Sequence, residues 1–238
     1  MEYIVVIPAR YKSSRFPGKP LIDLKGKSML QRTYEQCLKA VDKSLVYVAT
    51  EDERIVQHCK DHDMNVLLTS DNCLTGTDRI AEVSKQIKAD YYINVQGDEP
   101  VFNPDDITKI IVSLKGYPGE ILNGYCAINT EKQYRSLSVP KVVFKPDGSL
   151  LYMSRSSIPG NKAGSFVKAW RQVCIYAFPY DALQQFASTY HKTPLEEQED
   201  IEILRFIELG FDVRMLELSA DSVAVDTPED IEEVLKRL

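Results

Sequence analysis

Arg10, Lys12, Arg15 and Lys19 stand within ten residues of one another, with no acid among them, in the run Pro8-Ala9-Arg10-Tyr11-Lys12-Ser13-Ser14-Arg15-Phe16-Pro17-Gly18-Lys19-Pro20. Binding a phosphate takes backbone N–H groups that can approach closely and cations that neutralise charge, and this loop offers both. It is not a P-loop, because GxxxxGK[ST] is missing, and not a dinucleotide fingerprint, because GxGxxG is missing. The plainer alternative is a solvated basic loop. Asp98 is a carboxylate beside a glycine in Asn94-Val95-Gln96-Gly97-Asp98-Glu99-Pro100. Magnesium prefers one or two carboxylates plus phosphate oxygens and water, so Asp98 suits an anchor for Mg2+ on a triphosphate. An aspartate making only backbone bonds in a tight turn has the same local sequence. Asp226 closes the apolar stretch Val223-Ala224-Val225 just before Thr227-Pro228-Glu229-Asp230. It reads either as a turn or cap residue or as a second carboxylate for the metal, and spacing alone does not decide between them.

Other chemistry-bearing residues read as structural. His58 and His62 are spaced to bind a metal from one helix face, but the apolar residues Ile55, Val56 and Cys59 leave both on the polar, solvated side. His191 falls in a loop. Trp170 reads as a core or subunit-interface aromatic. The five cysteines are scattered, odd in number and form no CxxC pair, which argues against a disulfide framework or a zinc knuckle.

The elements that must carry these residues alternate. Tyr3–Pro8 is a continuous apolar run, like a strand buried on both faces. Met29, Leu30, Thr33, Tyr34, Cys37, Leu38 and Val41 recur at helical spacing. Residues 45–50, 65–69 and 90–96 read as strands; 52–63, 77–88 and 104–114 read as helices. This order implies a parallel, doubly wound sheet, whose ligands bind at the carboxyl ends of the strands. The loops after Pro8, Thr69 and Gln96 share that edge. The second half is richer in strands: 121–128, 141–145, 150–153 and 172–178. Thr193-Pro194-Leu195-Glu196 reads as a capped helix start, with the helix running to about Leu209 and Gly210 stopping it. Thr227-Pro228 repeats the start signal for a last helix.

The 238 residues suit a single domain with ample core. A net charge of −6 argues against a nucleic-acid-coating surface, while the local cation cluster suits a small polyanion. The apolar run at Tyr3–Pro8 has no basic flank and is too short to span a bilayer, so the expectation is a cytoplasmic protein without membrane association.

Five segments together resemble the CMP-Kdo synthetase (3-deoxy-manno-octulosonate cytidylyltransferase) family, Kdo being the acidic eight-carbon sugar 3-deoxy-manno-octulosonate. They are Ile7–Leu21 (IPARYKSSRFPGKPL), Gly76–Arg79 (GTDR), Asn94–Pro100 (NVQGDEP), Leu151–Pro159 (LYMSRSSIP) and Val225–Asp230 (VDTPED). They occur in the family's order and cover nearly the whole chain. The resemblance implies an α/β, Rossmann-like, mostly parallel sheet of the nucleotide-diphospho-sugar transferase type, with a β-rich dimerisation and sugar-binding insertion. It implies one cytidylyltransferase domain over residues 1–238, with a nucleotide-binding half to about residue 115 and a sugar-binding, dimerisation half from about 120. By the same resemblance Pro8, Ala9, Arg10, Arg15, Lys19, Gly76, Arg79 and Gln96 meet CTP. Arg15, Lys19, Asp98 and Asp226 are catalytic, with Asp98 and Asp226 holding Mg2+. Arg155, Gln172, Tyr176, Glu202 and Ile203 line the pocket for an acidic 3-deoxy-keto-sugar. Family members are homodimers, and their product feeds lipopolysaccharide or capsule synthesis.

Two departures from the family pattern matter: Gln172 stands where the family has a sugar-contacting His, and Ile203 where it has a sugar-contacting Gln. The family's strand reads His-[Ile/Leu]-Gly-[Ile/Leu]-Tyr where this chain has Gln172-Val173-Cys174-Ile175-Tyr176, and its helix reads Leu-Glu-Gln-Leu-Arg where this chain has Ile201-Glu202-Ile203-Leu204-Arg205. Both fall in the acceptor pocket, so the resemblance implies CTP more firmly than the acceptor. Kdo, an amino-Kdo, another octulosonate and a nonulosonate all stay open, the last making the chain a CMP-nonulosonate (sialic-acid-type) synthetase. A catalytically idle sugar-nucleotide-binding protein is disfavoured by Lys19, Asp98 and Asp226 together, and an NAD-dependent dehydrogenase by the missing glycine fingerprint.

Overall fold

The computed structural model describes residues 1–12, 16–225, 228 and 230–238. Its strands are β1 Tyr3–Pro8, β2 Val46–Thr50, β3 Val66–Leu68, β4 Tyr91–Val95, β5 Ile121–Ala127, β6 Lys141–Phe144, β7 Leu150–Ser154, β8 Trp170–Pro179 and β9 Val213–Glu217. Its helices are α1 Met29–Leu38, α2 Glu53–Asp61, α3 Gly76–Gln86, α4 Pro104–Ser113, α5 Glu131–Arg135, α6 Tyr180–Ser188, α7 Pro194–Glu199, α8 Ile203–Glu208 and α9 Asp230–Arg237.

The main sheet has the order β3-β2-β1-β4-β8-β5-β9. β1 pairs in parallel with both β2 and β4, and β2 with β3, so the loops after Pro8, Leu68 and Val95 leave from one edge. Val5, Val6 and Ile7 of β1 are all fully buried, as expected of a central parallel strand covered on both faces. Side-chain alternation sends Val5 and Ile7 to one core, with Leu30, Tyr34, Ile55, Ile107 and Ile110 from α1, α2 and α4. It sends Ile4 and Val6 to the other, with Ile80 and Val83 of α3, Phe186 of α6, and Leu204 and Phe206 of α8. Helices therefore cover both faces.

β8 runs antiparallel between β4 and β5, and β5 and β9 pair in parallel. The strand-rich second half thus completes the central sheet through β5, β8 and β9; β6 and β7 branch from its edge, with β6 also pairing with the start of β8. Trp170 sits at that branch, half-buried against Phe144 at 5.1 Å between ring centroids.

One expected element is divided. The helix predicted from Thr193 to Leu209 stops at Asp200, whose backbone is left-handed (φ 52°, ψ 48°), and restarts as α8. The end of β7 causes the break. The Arg155 guanidinium takes the carbonyls of Glu199 (2.5 Å) and Asp200 (3.0 Å), and the Glu199 carboxylate accepts from Ser154 Oγ (2.6 Å) and Arg155 N–H (2.8 Å). The capping signal at the start of α7 is present: Glu196 reaches back to the Thr193 N–H at 3.2 Å.

Candidate active site

Where β1 ends, Ala9 N–H donates to Ala49 O at 2.9 Å, so the chain follows β2 one residue beyond the strand. Tyr11 N–H then donates to the Glu51 carboxylate at 3.3 Å, and Gly18 N–H returns to Tyr11 O at 3.0 Å, closing the neck of the cation loop. Gly18 turns that neck with φ +73°, a conformation glycine adopts without steric cost, and the Tyr11 ring lies against it. On its other side the Tyr11 ring packs against the Arg54 guanidinium, 3.3 Å from the ring centroid, and Arg54 is itself held by both oxygens of Asp52. Residues 13–15 lie outside the described residues, and with them the Arg15 assignment.

After the neck, a 3-10 turn at Lys19–Leu21 starts with Lys19 and buries Pro20. The Lys19 ammonium lies 2.6 Å from Asp98 Oδ2 and 2.7 Å from Val225 O. Asp98 arrives two residues after Gln96, beyond the end of β4. Gly97 is needed there for close approach: a Cβ would stand 3.0 Å from Pro8 O, so the β1 and β4 loops could not meet as they do with a larger residue. Val225 N–H donates to Asp98 O at 2.9 Å, and Val225 is buried with Leu24, Met29 and Val234 in a small core under α9. Asp226, the next residue, lies outside the described residues.

The loops enclose a cleft of about 370 Å3. Pro8, Ala9, Arg10, Lys19, Gly76, Arg79, Gln96, Asp98 and Glu202 all line it, so residues separated by nearly two hundred positions share one surface. Arg10 is exposed at the rim. Arg79, in the first turn of α3, is buried and paired with the buried Glu51 at 2.8 Å, and it also donates to Thr69 Oγ1. Glu51 therefore joins the cation loop, through Tyr11, to Arg79.

Of the expected sugar residues only Glu202 lines this cleft; Arg155, Gln172, Tyr176 and Ile203 do not. Arg155 reaches the cleft-lining Asp200 through its carbonyl. Tyr176 is buried on β8, where burial, with Cys174 and Glu202 nearby, pushes its hydroxyl well above the ordinary tyrosine range. Gln172 is buried and donates to Asn123 Oδ1 at 3.1 Å, while Asn123 donates to the carbonyls of Val173 and Ile175 across a bulge in β5–β8 pairing. Ile203 is buried in the α3–α6–α8 core.

Lys192 and Asp200 line the cleft without having been singled out in the sequence; the two pair at 2.6 Å. Only the break in the predicted helix, invisible to helical periodicity, brings Asp200 there. Glu99 is a third residue not singled out in the sequence. It is buried, accepts from Ser222 Oγ at 2.5 Å, and burial pushes its carboxyl up to about 7, with the Asp98 charge adding to the rise. Asn94 shares a sheet face with Tyr176, its partner in register, and neither polar atom of its buried amide has a partner among the described residues. The two i,i+4 histidines differ from the expected solvated face in one respect: His58 is partly buried and bonds Ser28 Oγ at 2.7 Å, tying α2 to the cap of α1.

Among the described residues, no cluster of three or more His, Cys, Asp or Glu side chains could enclose a metal ion. The Asp98 carboxylate, partly open to the cleft, fits instead a cation that takes most of its ligands from phosphate and water. No described helix is long and apolar enough to cross a membrane.

The family model described as Cytidylyltransferase matches residues 4–217. The chain is 39% identical over 244 residues to 3-deoxy-manno-octulosonate cytidylyltransferase of Protochlamydia amoebophila, covering 98% of this chain and 93% of that protein. It is 37% identical over 244 residues to 8-amino-3,8-dideoxy-manno-octulosonate cytidylyltransferase of Shewanella oneidensis, covering 100% and 99%. A solved structure of CMP:2-keto-3-deoxy-manno-octonic acid synthetase complexed with CTP superposes with a TM-score of 0.92 at 35% identity, over 99% of this chain and 98% of that one.

Proposed function

Because this chain belongs to the 3-deoxy-manno-octulosonate cytidylyltransferase family, we propose that it transfers CMP from CTP to the anomeric hydroxyl of Kdo, or of a closely related 3-deoxy-octulosonate, and releases pyrophosphate. One observation carries the reading: Lys19 and Asp98, a cation suited to a triphosphate and a carboxylate suited to its metal, meet at 2.6 Å in a cleft also lined by Arg10, Arg79 and Gln96.

In this reading Pro8, Ala9, Arg10, Gly76, Arg79 and Gln96 frame the nucleotide. The hydroxyl oxygen forms its bond to the α-phosphorus as the bond to the pyrophosphate oxygen breaks, and the hydroxyl proton is lost to solvent. Catalysis of this kind is mostly positioning and charge neutralisation. Lys19, with Arg15, neutralises charge on the triphosphate and on the departing pyrophosphate. Asp98 and Asp226 are the residues that would hold Mg2+, which when bound screens phosphate charge and eases deprotonation of a hydroxyl it binds. Arg155, Gln172, Tyr176, Glu202 and Ile203 form the acceptor side.

We place the enzyme in the cytoplasm, as a homodimer supplying lipopolysaccharide or capsule synthesis. Supporting the dimer, three large apolar side chains are exposed in this half of the chain: Leu151 on β7, Leu137 in the loop before β6 and Val167 in the loop before β8. The test of function is pyrophosphate release with CTP across Kdo, its 8-amino analogue and nonulosonates. We expect turnover with an octulosonate; turnover with a nonulosonate alone would refute the assignment.

A further inference from the structure

Glu202 is gripped from one side. Its Oε2 accepts from the Thr77 N–H at 2.8 Å and the Thr77 hydroxyl at 2.5 Å, while Oε1 lies 3.3 Å from the Gly76 N–H. These donors form the first turn of α3, whose partial positive end favours a carboxylate. One turn further along α8, Arg205 reaches the same place: its Nη1 lies 3.2 Å from Asp78 Oδ1, and Asp78 closes the α3 cap by accepting from the Thr75 N–H at 2.9 Å. Arg205 is fixed in turn by Glu196, through bonds of 2.6 and 2.7 Å between side chains that are wholly buried. The first turns of α3 and α8 are thus clasped at two points. Of the two, only the Glu202 carboxylate belongs to a cleft-lining residue, and its Oε1, with one long bond, keeps acceptor capacity to spare.

We propose that Thr77 is a positioning residue for the sugar acceptor, fixing the Glu202 carboxylate so that Oε1 faces the acceptor's hydroxyls. This rests on the assignment of Glu202 to the acceptor side. Thr77 is 2% exposed and does not line the cleft, so it acts through Glu202 and not by touching substrate. The segment Gly76–Arg79 then serves both substrates: Gly76 and Arg79 face the nucleotide, and Thr77 between them orients the residue that reads the sugar.

The decisive variant is Thr77→Val, which removes one hydroxyl and keeps the backbone N–H and the side-chain shape. Initial rates of pyrophosphate release are measured with Kdo varied at saturating CTP, and with CTP varied at saturating Kdo. Loss of a hydrogen bond to a charged group should raise the acceptor KM about tenfold. CTP's KM should stay near the wild-type value, and Thr77→Ser should restore the acceptor KM. Equal rises in both KM values, or no rise in either, overturn the proposal. Glu202→Gln, run alongside, separates this inference from its premise. An unchanged acceptor KM in that variant removes Glu202 from the acceptor side; a raised one, with Thr77→Val unaffected, removes Thr77 alone. Should Thr77→Val fail to fold, Glu202→Asp draws the carboxylate back from Thr77. An acceptor-specific rise there supports the proposal, and no rise overturns it.

Discussion

On the wall of the cleft proposed for CTP, Arg10, Gln96 and Asp98 stand within a few residues of where β1 and β4 end, at least partly exposed, and Lys19 pairs with Asp98. Behind Glu202, on the side proposed for the acceptor, charges are locked into the protein where α3, α7 and α8 meet: Glu202 to Thr77, Arg205 to Glu196 and Asp78, Arg155 to Glu199 and Asp200. Apart from Arg79, which is buried against Glu51, the proposed donor wall commits little of its charge to the fold and so leaves it available to a ligand. The proposed acceptor wall uses charge to hold α3 to the two short helices α7 and α8, and of these groups only the Glu202 carboxylate belongs to a cleft-lining residue. Changes on the donor wall should therefore cost catalysis with little cost in stability, and changes on the acceptor wall should do the reverse or alter specificity.

The sharpest break is Asp98→Asn. Replacing the carboxylate by an amide of the same shape should lower turnover by about a thousandfold or more, since a preorganised charge at a reacting phosphate is worth several kcal/mol. The thermal midpoint should hold, because Asp98 is partly exposed and its backbone bond to Val225 survives. Near-normal pyrophosphate release from this variant would dismiss the metal assignment. Next comes Arg205→Met, which leaves the fully buried Glu196 carboxylate without its countercharge. Breaking a buried pair from one side costs about 3–5 kcal/mol, so chemical denaturation should show a stability loss of that order. At a temperature where the variant is folded, CTP's KM should change little. A stability loss under about 1 kcal/mol would mean that the clasp does not hold the acceptor wall. The smallest effect belongs to Gln172→His, alone or with Ile203→Gln. These should shift the preference between Kdo and its 8-amino analogue by less than about tenfold, the scale of one or two altered pocket contacts. CTP's KM should not follow. Movement of CTP affinity instead would place these residues on the donor wall.

The same contrast explains which parts of the site were legible beforehand. The donor wall is written in contiguous runs, since a parallel strand followed by a loop puts neighbouring residues on one edge; Pro8 to Lys19 and Asn94 to Pro100 each announce themselves. The acceptor wall has no such run. The pattern from Thr193 to Leu209 fits one amphipathic helix, and only Arg155, arriving from β7, takes the carbonyls that break it at Asp200. Glu99 and Asn94 lie in a motif already noticed, but their burial depends on what packs over them.

Local chemistry, carried by the order of residues alone, determined the alternating strands and helices of the first hundred residues, the sheet edge where a ligand would sit, and the cations and carboxylate suited to a metal-bound triphosphate. Hydrophobic period and loop composition act over a few residues, so they are present in the chain before it folds. Tertiary structure decided which distant groups meet: Lys19 with Val225 and Asp98, Glu202 with Thr77, Arg155 with the end of α7. Those contacts span from about forty to two hundred positions, and no periodicity encodes them. They exist because burying two apolar sheet faces under helices fixes where the remaining polar groups must find partners.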